Sequence, residues 1–507
     1  MSLSSADAND QNQCNEHMAT FTTVAANIRL DNLLHLASSI RGSILRPEKT
    51  VRTNAIVDSI SCTVRSPPLY GSFHVLYLLE FWDGIRWLLK VPATGYRGRF
   101  DENAARSLTS EALTMRLLKR ETTIPVPEVY HFDATLDNSL CVPFILMEYI
   151  AGVPLYECWF NRTIPKRLLE RRRLQTLKDL TMAMTQLNQF TFSRGGSPLF
   201  DKDGNLSGVG PLKMIDYQAR LDRFKTDDAS EGPAIFCEVE PFNSPKSFLL
   251  CMLNRRDSPS DAYSQGLYRF LRLLIDWIPQ PACKAGQEFV LSHPDFDIQN
   301  VIVTEDGRLR GLVDWDGVAM VPRCLGNQRY PSWLTRDLDP VAYRYDPELE
   351  DAESNCYENS PDELRHYRTV YRELMKSSSL LSRPKRDRGN PSAEGNDSSS
   401  INPESLTKWT SASLVIENLK IAADDPVCTL EIVEKIFEEI QCVLINKSQD
   451  KTATENQDQA TNDDDSTDSD SSDDSKLCEI AYGLVDGTIA ESQLKEIRDA
   501  FLALCFV

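Results

Sequence analysis

Hydrophobic residues recur with two different periods along the chain, and the two periods separate a β-rich first part from a mostly helical second part. Aliphatic and aromatic residues fill Phe73–Phe81 and Ile85–Val91, and the Asp83-Gly84 dipeptide between them predicts a β-hairpin. Apolar residues at helical spacing predict a helix over Asn103–Arg120. A short buried strand is predicted over Val142–Ile150.

Further along, the pattern is mainly helical. Between Pro154 and Pro281 we expect helices and loops, and a second β-hairpin follows Phe289. Within that range the clearest predicted helices are Lys166–Phe190 and Tyr263–Trp277, and further helices are predicted over Leu30–Ile40, Asp362–Lys376, Leu406–Ile445 and Ser492–Leu504. Strands followed by helices, rather than regular alternation of the two, predict an α+β fold instead of a doubly wound sheet.

Low-complexity stretches set the expected boundaries. Ser, Pro, Gly and charged residues dominate Ser377–Pro403, and Lys447–Lys476 is a low-complexity stretch with an acidic run over Asp463–Asp474, so both are predicted to be disordered. The predicted divisions are a disordered or helical extension over 1–57, a β-rich lobe over 58–150, a helical lobe over 151–447 with a disordered insertion over 377–403, and an acidic disordered linker with a C-terminal helix over 448–507.

Composition narrows the class of protein. The 507 residues carry a formal net charge of −20, which argues against nucleic acid or an anionic membrane as the main partner. The thirteen cysteines include no Cys-x-x-Cys pair and no zinc spacing. Met1–Thr20 lacks the apolar stretch of a secretory signal, and charges interrupt the most apolar segments. We therefore expect a cytoplasmic protein with no membrane partner.

The most informative segment is Leu291–Val303. It contains His293, Asp295 two residues later and Asn300 five residues after that, followed by an apolar strand. This spacing is the catalytic-loop pattern of kinases. Asp295 could act as the catalytic base and Asn300 as a magnesium ligand, whereas His293 is expected to orient the loop. Asp297 could be a solvated or a supporting residue, and the sequence leaves both open.

The second hairpin brings another carboxylate toward Asn300. We expect a two-residue turn at Asp306-Gly307, with Glu305 pairing with Arg308. Asp314 would then lie near Asn300 at the open end of the hairpin. Amide and carboxylate oxygens suit magnesium, so Asn300 and Asp314 are predicted metal ligands.

The first part of the chain supplies a cation and a partner for it. Lys90 follows the Asp83-Gly84 turn on a predicted strand, and Glu111 lies on the next helix. In kinases a strand lysine held by a helix glutamate binds the α and β phosphates of ATP. Alternatively, Lys90 could be a surface lysine and Glu111 a solvated helix residue.

Two weaker signals would complete a nucleotide site. Gly71 and Ser72 lie in the expected phosphate-covering loop, Arg65–Phe73, where backbone N–H groups could reach phosphate, although a plain turn explains them equally well. The apolar strand ending at Glu148 and Ile150 would lead into a hinge where adenine stacks and bonds to backbone.

Together these residues resemble the aminoglycoside phosphotransferase family. The resemblance is closest to the large set of fungal proteins that contain an aminoglycoside phosphotransferase domain. The carrying segments are Gly71–Val75, Trp87–Pro92, Ile145–Gly152, His293–Asn300, Gly311–Asp316 and Pro322–Leu334. The resemblance implies a bilobal protein-kinase-like fold with a small β-rich N-lobe and a larger helical C-lobe, and it implies ATP and Mg²⁺ as cofactors. Pro294 and Asp297 stand where the family usually has Gly and His.

The resemblance implies an enzyme that moves the γ-phosphate of ATP to a hydroxyl of a small molecule. Asp295 would be the base, Lys90 would bind phosphate with Glu111 supporting it, and Asn300 and Asp314 would bind magnesium. A pseudokinase or nucleotide-binding scaffold is the alternative. A protein kinase fits less well, because no Ala-Pro-Glu closes an activation segment. The sequence does not identify the acceptor.

Overall fold

The structure is a computed structural model, and it describes seven stretches of the chain. These are residues 21–45, 61–225, 236–279, 286–349, 357–381, 403–455 and 473–506. Compact packing divides the chain into two units. Unit 1 takes its described residues from Met1–Gly152, Pro198–Gly208 and Arg310–Val318, and unit 2 takes the remainder. The expected boundaries at residues 57, 150 and 447 stay predictions.

Unit 1 is built on one antiparallel sheet of five strands. The strands, in the order β1-β2-β3-β5-β4, are β1 Cys62–Tyr70, β2 His74–Phe81, β3 Arg86–Pro92, β4 Val129–Asp133 and β5 Phe144–Glu148. Its helices are α1 over 21–27, α2 Leu30–Leu45 and α3 Glu102–Glu121. The predicted hairpin, strand and two helices are therefore confirmed.

Helix α2 packs on the sheet through its apolar side. Leu33 and Ala37 are fully buried in the same core as the sheet residues. The guanidinium of Arg41 lies 4.5 Å from the centre of the Phe81 ring and pairs with Asp83 in the β2–β3 turn. The helix thus joins the core of unit 1 and also fixes the turn that precedes β3.

Unit 2 combines short strands with long helices. Its strands are β6 Val153–Pro154, β7 Thr191–Phe192, β8 Ser197–Phe200, β9 Leu206–Gly210, β10 Leu212–Ile215, β11 Phe236–Val239, β12 Phe289–Ser292, β13 Val301–Val303, β14 Leu309–Leu312 and β15 Ala319–Pro322, with parts of β8, β9 and β14 belonging to unit 1. Its helices are α4 Leu155–Trp159, α5 Lys166–Gln186, α6 Tyr217–Lys225, α7 Pro245–Leu249, α8 Ala262–Trp277, α9 Pro361–Leu381, α10 Pro403–Asp424, α11 Thr429–Glu455, α12 Asp473–Asp486 and α13 Glu491–Phe506. Two small two-stranded sheets, β8–β9 and the antiparallel β10–β11, lie within the region that we predicted to be mostly helical with loops.

The C-terminal helices differ from the prediction in number. The single helix expected over Leu406–Ile445 is broken into α10 and α11 around Pro426, because proline lacks the N–H that a helix interior requires. Helix α12 was not predicted, since its first turn carries the end of the acidic run. The ends of the two predicted disordered stretches are helical, so the prediction is wrong there: residues 377–381 belong to α9, residue 403 to α10, residues 447–455 to α11 and residues 473–476 to α12. The remaining parts, residues 382–402 and 456–472, lie outside the described residues, as do residues 1–20. Among the described helices, none is both long enough and apolar enough to cross a lipid bilayer.

Both Asp-Gly turns have three residues rather than two. In the β13–β14 hairpin, the Thr304 N–H donates to the Arg308 carbonyl, and the Gly307 N–H donates back to the Thr304 carbonyl, each at 2.9 Å. The expected pairing of Glu305 with Arg308 is therefore wrong by one residue. Gly307 has φ of +83°, so a turn followed by a left-handed glycine, with one extra residue, closes the hairpin.

Gly307 also allows a close approach to helix α5. A Cβ at this position would lie 2.5 Å from the Arg172 carbonyl oxygen, whereas Gly84, with φ of +81° in the β2–β3 turn, has open space around it. We expect Gly84→Ala to lower the free energy of unfolding by about 1 kcal/mol, from backbone strain alone. Gly307→Ala adds a steric clash to that strain. It should therefore lower the free energy of unfolding by at least about 1 kcal/mol more than Gly84→Ala does. Urea unfolding of both variants tests this, and equal losses would contradict the close approach.

Candidate functional site

Strand β3 and helix α3 bring Lys90 and Glu111 together inside unit 1. The Lys90 Nζ atom lies 2.6 Å from Glu111 Oε1, and the two residues are 5% and 2% exposed. Lys90 is on β3 between two neighbouring strands, and Glu111 is in the middle of the 20-residue helix α3, which Asp101 caps. The alternative that Lys90 is a surface lysine and Glu111 a solvated residue is therefore wrong.

Asp314 supplies a second carboxylate for the same lysine. Its Oδ1 lies 2.7 Å from Lys90 Nζ, and half of its side-chain surface remains exposed. The residue has φ of +62°, a left-handed backbone that non-glycine residues adopt rarely. The neighbouring Trp315 is fully buried and donates its indole N–H to the Leu312 carbonyl, which holds the chain in place after β14.

The pKa values of these three groups follow from burial and charge. Burial would lower the pKa of Lys90, but attraction to Glu111 and Asp314 outweighs it, so that pKa lies above its ordinary value. Burial raises the pKa of Glu111 although Lys90 opposes the shift. Burial by itself would raise the pKa of Asp314. The charge of Lys90 and its hydrogen bond to Asp314 outweigh burial and hold the pKa of Asp314 below its usual range. Lys90 is thus a permanently charged cation at neutral pH.

Two residues that sequence reasoning missed border this cluster. His74 Nε2, at the start of β2, lies 3.8 Å from Asp316 Oδ2, and the Ser107 hydroxyl donates to Asp316 Oδ1 at 3.4 Å. Ligand atoms of His74, Glu111 and Asp316 all lie within 4.8 Å of one another. His74 and Asp316 lie within the segments that carried the family resemblance. Their position in those motifs could therefore have identified them as candidate site residues, whereas their residue types alone could not.

Gly71 and Ser72 form the turn between β1 and β2. The Gly71 N–H donates to the His74 carbonyl at 2.9 Å, so that amide is used within the turn. Most of the predicted loop, Arg65–Phe73, is instead strand β1, whose pairing with β2 shifts register between Arg65 and Leu69. The prolines at positions 67 and 68 lack N–H donors, which explains why the pairing is interrupted there.

Glu148 and Ile150 lie at the end of β5. The Glu148 carboxylate accepts the Glu128 N–H at 3.1 Å and faces Lys119 at 3.4 Å, so its side chain is used to fix the strand end. Ile150 packs against Gly311, where a Cβ would overlap the isoleucine side chain. Their suggested role in binding adenine stays a prediction.

In unit 2 the catalytic-loop residues lie between strands β12 and β13. The amide nitrogen of Asn300 donates to the Asp295 carboxylate at 2.8 Å and to the Asp295 carbonyl at 2.9 Å, and Gln299 donates to the same carboxylate at 2.9 Å. Strand β12 is fully buried and pairs with β7 and β15, so the loop starts from a rigid element. Hydrogen bonds therefore join Asp295 and Asn300, whereas their predicted roles as base and metal ligand stay predictions.

The charge on Asp295 is tuned by its surroundings. Burial and the neighbouring charge of Asp297 raise the pKa of Asp295, and the hydrogen bonds from Asn300 and Gln299 oppose that shift. Asp297 itself is a supporting residue: its carboxylate accepts the Ile298 N–H and pairs with Arg336 at 2.8 Å each. His293 is buried, as expected for a residue that orients the loop, and its carbonyl accepts from Arg329 at 3.4 Å.

The two predicted metal ligands lie in different units. In unit 2 the Asn300 nitrogen is used toward Asp295, so its amide oxygen is the atom left for another partner. In unit 1 Asp314 pairs with Lys90 through Oδ1, and half of its side chain is exposed. Amide and carboxylate oxygens are ligands that Mg²⁺ prefers, and the binding of one ion by both residues stays a prediction.

Three features of this chain together define a kinase-like protein. They are the Lys90–Glu111 pair on β3 and α3, the carboxylate after β14, and the His-x-Asp loop that ends in asparagine. Residues 72–324 match the model of the phosphotransferase enzyme family, which includes aminoglycoside phosphotransferases. The chain belongs to this family, and its α+β kinase-like fold is as predicted.

Curated relatives are fungal. The chain is 22% identical over 358 residues to a subtelomeric hrmA-associated cluster protein of Aspergillus fumigatus, covering 60% of this chain and 66% of that protein. It is 31% identical over 308 residues to the altered inheritance of mitochondria protein 9 of Clavispora lusitaniae, covering 52% and 49%. The chain thus spans between about half and two thirds of the length of these relatives.

Solved structures show more distant likenesses. Aminoglycoside phosphotransferase APH(4)-Ia is 12% identical with a TM-score of 0.35, over 84% of this chain and 94% of that one. An ethanolamine kinase of Plasmodium vivax is 11% identical with a TM-score of 0.34, over 90% and 89%. At this distance the likeness carries no information about the site.

The expectation of a cytoplasmic protein is wrong. The relatives in Clavispora lusitaniae, Candida albicans and Vanderwaltozyma polyspora are named as mitochondrial proteins. The sequence argument had excluded only a secretory signal and a membrane span, and neither bears on location in this organelle.

The buried cluster gives a stability prediction. Lys90→Met leaves the Glu111 carboxylate buried without its cation, and we expect it to lower the free energy of unfolding by about 3 kcal/mol. Replacing both partners, as Lys90→Met with Glu111→Leu, should recover most of that loss, because no charge is then left buried. Urea unfolding without nucleotide measures both. A double variant no more stable than the single one would show that the pair does not control stability.

Proposed function

We propose that the protein is an ATP- and Mg²⁺-dependent small-molecule phosphotransferase that moves the γ-phosphate to a hydroxyl of a small metabolite. The observation that carries the proposal is Lys90, held by Glu111 at 2.6 Å and Asp314 at 2.7 Å. A buried lysine with two carboxylate partners is a costly arrangement, and it supports a role in binding anionic phosphate. The mitochondrial names of several relatives suggest that the reaction takes place in mitochondria.

In this proposal each residue has one task. Lys90 binds the α and β phosphates, and Glu111 keeps its ammonium group in place. Asn300 and Asp314 would hold Mg²⁺, which supplies positive charge against the negative charge of the phosphates. Gly71 and Ser72 would border the phosphates, and the backbone around Glu148 and Ile150 would bind adenine.

Asp295 acts on the acceptor. It orients the hydroxyl and takes its proton while the hydroxyl oxygen forms a bond to the γ-phosphorus and the bond to the ADP oxygen breaks. Its raised pKa makes it a better proton acceptor than an ordinary aspartate. Asn300 and Gln299 hold the carboxylate in one orientation, so no reorganisation is needed when the acceptor binds.

Binding of ATP is the first property to test. With magnesium and ATP at about 100 times its dissociation constant, the native protein gains about 2.7 kcal/mol, which raises its melting temperature. We expect this gain to be lost in Lys90→Met and Asp314→Asn. The control is Asp83→Asn, which changes another ion-paired carboxylate of unit 1 outside the Lys90 cluster. A wild-type protein that does not respond to millimolar ATP would contradict the proposal.

Turnover separates an enzyme from a nucleotide-binding scaffold. Asp295→Asn should keep the thermal shift with ATP but lower the rate of magnesium-dependent ATP hydrolysis about 100-fold or more, because the base is gone. Hydrolysis is measured without acceptor and then with panels of amino alcohols, sugars and hydroxy acids. The control is Asp203→Asn, at an exposed turn residue. Binding without turnover in the wild type, under all acceptors, would favour the pseudokinase alternative.

A further inference from the structure

A short segment after the family-matched region connects the catalytic loop to a C-terminal helix. We call Arg329–Arg336 the bridging segment. It contacts the loop at three points: the Arg329 guanidinium donates to the His293 carbonyl at 3.4 Å, the Ser332 N–H donates to the Phe296 carbonyl at 2.9 Å, and Arg336 pairs with Asp297 at 2.8 Å. Two of these three points are backbone carbonyls of the loop, so the contacts fix its path.

The other side of the bridging segment contacts helix α10. The Tyr330 N–H donates to the Ser413 hydroxyl at 3.0 Å, and the Asn418 amide donates to the Thr335 carbonyl at 3.2 Å. Between these two contacts, Glu417 pairs with Arg329 and accepts from the Ser332 hydroxyl at 3.0 Å. Positions 413 and 417 share one face of the helix because they are four residues apart, and position 418 follows 417 directly.

Arg329 is the residue that joins the two sets of contacts. Its Nη1 atom bonds to Glu417 and its Nη2 atom to His293, and the side chains of Arg329 and Glu417 are 9% and 10% exposed. A buried guanidinium is costly unless it is paired, and its planar donors have a fixed geometry. The Glu417 carboxylate therefore determines where Arg329 donates to the loop.

We propose that helix α10 positions the catalytic loop, with Glu417 acting through Arg329 on the His293 carbonyl. Glu417 is a positioning residue, since its contact with the loop runs through Arg329. It lies 93 positions after the end of the family match at residue 324, so this part of the chain extends the phosphotransferase region rather than standing apart from it. The catalytic consequence rests on the proposed function, whereas the order of the loop does not.

The test uses three variants of the full chain. Glu417→Gln removes the charge and keeps the shape. The double variant Arg329→Met with Glu417→Leu removes the whole pair without leaving a buried charge, and it should therefore fold even where the single variant does not. Asp424→Asn is the matched control, because it breaks the Lys420–Asp424 pair, which lies on the same helix but does not involve Arg329 or Glu417.

Hydrogen exchange of the backbone is the first readout. We expect amides of residues 293–300 to exchange about tenfold faster in the double variant, as expected when a charge-assisted hydrogen bond is lost. Asp424→Asn should leave these amides at the wild-type rate. Wild-type exchange in a folded double variant would overturn the proposal, as would equal acceleration in the control.

Kinetics provide the second readout. The double variant should lower kcat for ATP hydrolysis about tenfold or more at an unchanged KM for ATP, because Lys90 and Glu111 are not altered. A change confined to KM would overturn the positioning role. A wild-type protein without any hydrolysis would contradict the proposed function, and the exchange result would still decide whether α10 orders the loop.

Discussion

The structure of the candidate site depends on one buried cation. Lys90 is only 5% exposed, so its ammonium group has lost most of its contact with water. A charge buried in this way is stable only when anions compensate for that loss, and Lys90 has two of them. Glu111 comes from helix α3 and Asp314 from the segment after β14, so a single charge ties three separate parts of the chain together. This requirement fixes the position of α3 on the sheet and the path of the chain around Trp315.

The same logic applies to the loop that carries Asp295. Here the buried cation is Arg329, and its partners are Glu417 and the backbone of the loop. Each unit thus has a carboxylate of the candidate site beside a network of paired residues that extends well beyond it. A site of this kind is already ordered before a ligand binds, which reduces the cost of ordering it later.

Local features were predictable from the sequence, and distant pairings were not. The hairpin around Gly84 and helix α3 follow from spacings of a few residues. The Asp-Gly dipeptides predicted the positions of both turns. They could not predict the number of residues in a turn, because two- and three-residue loops both use a glycine at positive φ. The pairing of Arg329 with Glu417, 88 residues apart, has no signature in either segment. Family resemblance marked the segment around Arg329 without giving it a role.

The left-handed backbone at Asp314 restricts what evolution can do with this site. Of the non-glycine residues, only asparagine and aspartate adopt such a conformation readily, since their short polar side chains can bond locally. If the protein transfers phosphate as proposed, a descendant that loses this activity while keeping its fold should pass through Asn or Gly at this position, and seldom through alanine or a branched residue. The identity of residue 314 in related chains would then record whether each has kept its chemistry or retained only its shape.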